Sequence, residues 1–305
     1  MRKYICALII IFCFAFGQYE RPGSSAAQFL DIGVNPRAES MAGAFISMTS
    51  GAGACYYNPA ALTMLAGPAF EISHTNWFAD ISHDYAAVAL PFGRNRGIGL
   101  SFTSMITDEM IVRTPLQPDG TGETFFSGNY RFGVSMGQKL TDNVSLGVNL
   151  NYVELILFRH YKQEVYAGDV SVLYDAKIRN FKFGFKIANF GSDVKYIHES
   201  YPMPTSFVFG VSGNLIEKGA NTIALSTNAY KPNDGSPKGV LGLEYGLNSM
   251  YFVRGGYHID DPVKSFALGA GAKINTPFLP ISVNYSITDY GPLGLNQRLG
   301  LEIGK

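Results

Sequence analysis

A large apolar residue alternates with a small or polar one along Val144-Ser145-Leu146-Gly147-Val148-Asn149-Leu150-Asn151-Tyr152. A β-strand sends successive side chains to opposite faces, so this segment is a strand with one apolar face and one wet face. The pattern recurs to the end of the chain. It predicts strands at 69–76, 83–92, 96–106, 126–140, 143–156, 165–178, 180–190, 205–214, 220–230, 238–247, 250–259, 264–275, 279–287 and 296–304. An even set of about fourteen such strands implies an all-β fold, a transmembrane antiparallel up-and-down β-barrel. A soluble antiparallel sandwich would also alternate. It leaves unexplained why only 16% of residues are charged, against about a quarter in soluble domains.

The connections fall into two classes. Gly93 to Arg96, Thr141 to Asn143, Arg179-Asn180 and Leu247 to Ser249 are short; Asp108 to Thr124, Phe190 to Thr205, Lys231 to Lys238 and Asp289 to Leu295 are longer. The short ones follow even-numbered strands, which places both ends of the strand set on the periplasmic side. In this register Tyr152, Tyr230, Tyr257 and Tyr285 fall near the outer ends, and Tyr174, Tyr245 and Tyr251 near the periplasmic ends. Amphipathic rings at both interfaces form two girdles.

Charge decides which face meets lipid. One row, such as Leu241, Leu243, Tyr245 and Leu247, carries none. The opposite row carries Arg131, Lys139, Lys182, Lys186, Glu244, Arg254, Lys273 and Arg298 among many glycines. A lysine at the bilayer midplane costs roughly 2–4 kcal/mol, so the charged row faces the lumen. Cations outnumber acids there, which suits an anionic ligand unless acids of the chain itself or lipopolysaccharide neutralise them.

Residues 1–17 have the positive start, apolar run and small-residue end of a cleaved signal peptide. Residues 18–68 show no alternation, and 69–305 form the barrel. A barrel of this size leaves a lumen wider than its own side chains fill. The Ala/Gly/Ser-rich segment before Phe70 is suited to enter it as a hatch, with short helices near Ala26–Ile32 and after Asn58-Pro59. Cys55 is the lone cysteine of the mature chain, so no internal disulfide is possible.

Three stretches of this segment carry a resemblance: Phe29-Leu30-Asp31-Ile32-Gly33-Val34-Asn35-Pro36-Arg37-Ala38, Met41-Ala42-Gly43-Ala44-Phe45 and Tyr56-Tyr57-Asn58-Pro59-Ala60-Ala61-Leu62. They resemble the motifs of the PorV/PorQ outer-membrane proteins, barrels similar in fold to the FadL fatty-acid transporters. Ala42 and Tyr57 depart from that pattern, where Gly and Trp are usual. The resemblance implies a fourteen-stranded barrel with a lumenal hatch, and either of two roles. One is a type IX secretion component holding exported cargo near a surface sortase. The other is a FadL-like transporter of hydrophobic compounds. Gly33, Arg37, Asn58, Pro59 and Ala60 are the candidate hatch or gating residues; for Asn58-Pro59 an ordinary capped turn explains the pair equally well.

No nucleophile–base pair, phosphate loop or metal-ligand spacing is present, so no enzyme activity, cofactor or metal is expected. His74, His83, His160, His198 and His258 fall near outer loops, where solvated rim positions are expected. Zero net charge, from 24 basic and 24 acidic residues, excludes a nucleic-acid partner. The expected partners are outer-membrane lipid and lipopolysaccharide, with exported cargo or a hydrophobic ligand according to role.

Overall fold

The computed structural model describes residues 21–158, 161–196 and 198–304. The expected signal peptide, His160 and Ile197 lie outside them. Fourteen antiparallel strands close into one barrel, each beside its neighbours in sequence and the last beside the first. They are β1 (Ala69–Asn76), β2 (Ser82–Phe92), β3 (Arg96–Ile106), β4 (Gly128–Lys139), β5 (Val144–Phe158), β6 (Tyr161–Asp175) and β7 (Lys182–Gly191). The second half holds β8 (Ser206–Lys218), β9 (Asn221–Pro232), β10 (Lys238–Leu247), β11 (Tyr251–Ile259), β12 (Phe266–Ile274), β13 (Ile281–Asp289) and β14 (Leu295–Gly304). The alternation located all fourteen.

The faces follow the pleat. In β5 Ser145, Gly147, Asn149 and Asn151 are buried, while Leu146, Val148 and Leu150 are exposed outward. The exposed apolar row satisfies a hydrocarbon surround, and closure leaves no strand edge unpaired. Tyr152, Tyr257, Tyr285, Tyr174, Tyr245 and Tyr251 lie on the outward row. Tyr230 does not. It shares the inward row of β9 with Ser226 and Asn228, so it belongs to the lumen and not to a girdle. Nor are His83 and His258 solvated rim residues. Both are buried on inward rows, because each sits one position inside the end of its strand.

Two departures from regular pairing matter. β5 and β6 run 15 residues each, against nine in β11 to β13. Their outer extensions replace the expected loop. On this extension the inward Val153, Leu155, Val165 and Ala167 pack against Phe29 and Leu30. In the β6–β7 pair the register slips between Gly168 and Val170, leaving Asp169 opposite both Ala188 and Asn189. Asn189 adopts φ 56°, and its N–H donates to Asp169 Oδ1 at 2.7 Å. This bulge turns two consecutive residues of β7 inward.

Residues 21–68 thread the lumen from the outer end to the periplasmic end. At the outer end Arg21 N donates to Asp234 O at 3.0 Å, and Ala26 N to Pro202 O at 2.9 Å. Short helical turns follow at Gln28–Asp31, Pro36–Glu39, Ala54–Tyr57 and Pro59–Met64. Asn35 and Asn58 cap two of them, accepting from Ala38 N and Ala60 N, each with Pro in the next position. Inward glycines of the wall give the hatch its seat. A Cβ on Gly147 would lie 2.1 Å from Ala60 N, and one on Gly256 2.3 Å from the Met41 carbonyl carbon. No side chain fits where backbone meets backbone at that distance.

Candidate functional site: a chamber above the hatch

The hatch does not fill the whole barrel. Between it and the outer loops lies a cavity of about 430 Å³. The hatch supplies Ala42, Gly43, Ile46, Tyr56 and Tyr57 to its lining. The wall supplies Arg131, Lys186, Val208, Tyr230 and Val240. Gln28, Leu30 and Asp31 of the N-terminal strap close part of it toward the outside, held where Gln28 Nε2 donates to Asp234 Oδ2 at 2.9 Å.

The tyrosines shape this space. Tyr56 Oη reaches the carbonyls of Leu30 and Ile32 at 2.7 and 2.8 Å. Tyr57 Oη accepts from Val34 N at 2.9 Å and Asn35 N at 3.1 Å. Both hydroxyls therefore fix the descending strap, leaving ring faces for the chamber. Arg131 and Lys186 stand over the Tyr56 ring, at 4.8 and 5.7 Å from its centroid. The Asp169 carboxylate balances both cations, 3.2 Å from Lys186 Nζ and 3.9 Å from Arg131 Nη2. Asn149 and Asn151 extend this network, with Asn149 Nδ2 donating to Asp169 Oδ2 at 3.0 Å. Higher up, burial pushes the Asp31 carboxyl up to about 7, opposed by its hydrogen bond with Tyr230 and reinforced by Asp234 nearby.

Below the chamber an ionic partition ties hatch to wall. Arg37 grips Glu244 with two bonds, at 2.8 and 2.9 Å. Arg254 Nε donates to the same carboxylate at 2.6 Å. Asn35 Nδ2 donates to Glu71 Oε1 and Glu302 Oε1, at 2.7 and 3.1 Å, bridging two acids that face each other across the β1–β14 closure. Arg298 Nη1 meets Glu39 Oε2 at 3.2 Å. The Glu39 side chain also explains Gly33, where a Cβ would lie 1.8 Å from its Oε1.

The candidate residues thus separate. Gly33, Arg131 and Lys186 line the chamber; Arg37, Glu244 and Arg254 form the partition; Arg298 joins it through Glu39. Asn58, Pro59 and Ala60 lie beneath, seated on β4 to β6, where Asn58 Nδ2 donates to Ile46 O at 2.9 Å and Ala60 N to Ser171 Oγ at 3.1 Å. Lys182 is buried on the inward row, Lys139 pairs with Asp142 at 3.4 Å on the periplasmic rim, and Lys273 lines a separate lower cavity. The excess of inward cations is answered by acids that the alternation did not reveal. Asp169 lies in a strand whose inward row the same reading could have followed. Glu39 and Asp31 lie in the hatch, where no period marks them. As many acidic as basic side chains line the chamber, so it is not the basic interior the row of cations implied.

No protein-family model matches the chain, and no curated protein matches it. Solved structures do share its fold. The Ralstonia pickettii toluene transporter TbuX is similar at 14% identity and TM-score 0.56, over 89% of this chain and 97% of that one. A deletion mutant of the TodX monoaromatic hydrocarbon channel is similar at 13% identity and TM-score 0.59, over 90% and 99%. A Pseudomonas aeruginosa FadL homologue is similar at 11% identity and TM-score 0.52, over 88% and 97%. The chain therefore has the fourteen-stranded fold of FadL-type outer-membrane barrels.

Proposed function

We propose that this protein is an outer-membrane channel that captures a small hydrophobic or amphipathic compound in the outer chamber and passes it inward past the hatch. The observation carrying this reading is the chamber itself. Its volume lies within the roughly 300–1,000 Å³ of small-molecule sites, and its lining combines tyrosine rings and aliphatic side chains with charged groups of both signs in equal number. The named activities of TbuX and TodX support the same reading. The type IX secretion role rests on the PorV/PorQ-like stretches, and their residues have other work in this fold. Met41, Phe45, Tyr57 and Asn58 pack or cap the hatch, so they offer no surface to an exported cargo.

The test compares wild type with Val208→Trp, which fills the chamber from the inward row of β8. Purified protein is titrated with toluene and with dodecanoate, following intrinsic fluorescence. Saturable binding of at least one compound, lost in Val208→Trp, is the expected result. Absence of binding, together with altered display of exported proteins in a deletion strain, would sink the transport reading and favour the secretion role.

A further inference from the structure

A second cavity of about 300 Å³ opens at the periplasmic mouth, between the hatch residues Ser50 to Ala52 and the starts or ends of β11 to β14. It differs from the outer chamber in charge. Arg37, Arg254 and Lys273 line it against one acid, Glu302, which is already engaged by Asn35 and Asn284. Glu244 beneath takes up one of the two arginine charges, its carboxylate shared between both guanidinium groups. Among the lining residues and Glu244, three cations meet two carboxylates, an excess of one positive charge at the cavity wall; Glu71, which shares Asn35 with Glu302, stands behind Gly53.

The donors are also in place. Arg254 spends Nε on Glu244 and Nη1 on Asn284; its Nη2 has no hydrogen-bond partner among the described residues. Lys273 Nζ has none among them either, because its cross-strand neighbour on the inward row of β13 is Ser282 and not an acid. Arg37 Nη1 bonds only the Ser50 hydroxyl, at 3.1 Å, a neutral acceptor that an anion outcompetes. These donors come from the hatch, β11 and β12. A single polyatomic anion received by all of them would join moving part to wall.

We propose that this lower cavity is a second binding site, for a small anion bearing a phosphate or carboxylate group, approached from the periplasm. Its cations are not matched one for one by acids in the lining as those of the outer chamber are, and a compound carrying only apolar surface would leave these donors unsatisfied. Occupancy exchanges the Arg37 bond to the Ser50 hydroxyl for one to an anion that β11 and β12 also hold.

The test is calorimetric titration of the full-length protein in detergent, at constant ionic strength, with inorganic phosphate and separately with succinate. Saturable binding of either ion supports the site, and the ion preferred names the headgroup class. Lys273→Gln is expected to weaken that binding roughly ten-fold, the loss of one charge-assisted hydrogen bond. Lys273→Arg should retain it, as should Lys218→Gln, which removes an exposed lysine elsewhere on the periplasmic side. Val208→Trp, which blocks the outer chamber, should leave it unchanged, so the two sites stand or fall separately. No saturable binding of either ion, or equal affinity in wild type and Lys273→Gln, overturns the proposal.

Discussion

Gly255 and Gly256 are neighbours in β11, yet they belong to different parts of the molecule. A Cβ on Gly255 would make ordinary contact with Leu268 Cδ2, at 3.7 Å on the outward face. A Cβ on Gly256 would strike the hatch backbone at Met41 and Ala42. The outward face needs only to be apolar, because lipid conforms to whatever shape it meets. The inward face needs particular residues at particular positions, because a folded segment already occupies the space. The wall is specified by a pattern and the hatch by contacts.

The largest expected effect lies in the partition. Glu244→Ala leaves the half-buried Arg37 and the buried Arg254 without their shared carboxylate, at a cost of about 3–5 kcal/mol. Limited proteolysis should then cut the hatch, and planar-bilayer conductance should rise while the strands stay paired. The adjacent outward change, Leu243→Ala, should leave both readouts near wild type. A large effect from Leu243→Ala would break the contrast between the faces.

Next comes a charge placed on the wrong side. Leu150 is 70% exposed on the outward row of β5. Leu150→Lys should cost about 2–4 kcal/mol, depending on depth, in unfolding measured from lipid vesicles. Inward lysines such as Lys186 already show that the same residue is accommodated on the other face. A neutral result would place the bilayer elsewhere on the barrel.

The glycine pair gives a smaller and sharper comparison. Gly256→Ala should destabilise by about 1–3 kcal/mol through overpacking, whereas Gly255→Ala should be close to silent. Equal effects on thermal unfolding would deny that the hatch rests on β11.

The last effect is one of pH. The Asp31 carboxyl is raised from 3.8 to about 7 in the folded strap. The unfolded strap loses its proton first, so the stability associated with the protonated carboxyl is full below about pH 4. It declines as pH rises toward 7 and changes no further above that. Hydrogen exchange of residues 24–34 should therefore quicken between pH 4 and pH 7 beyond its intrinsic dependence. Asp31→Asn should flatten that slope, and an unaltered slope would show that this carboxyl titrates normally.

Strand number, strand order and the direction each side chain faces were legible in the sequence, since a period of two is a local signal that each strand carries alone. Val144 to Tyr152 already assigned lipid to one row and lumen to the other. Even here tertiary structure decided one detail: a bulge in β7 brings the Asn189 N–H to the Asp169 carboxylate, whose inward face its own strand had already set. The hatch was recognisable by the absence of a pattern, and that absence gave no path for it. Arg37 meets Glu244 across 207 positions of sequence, and Met41 meets Gly256 on a strand far along the chain. Such contacts leave no period behind, because they depend on where the closed barrel places each inward position. The sequence by itself therefore determined the wall and the existence of a filler. Only the tertiary structure divided the lumen into a balanced outer chamber, an ionic partition and a lower cavity lined by Arg37, Arg254 and Lys273.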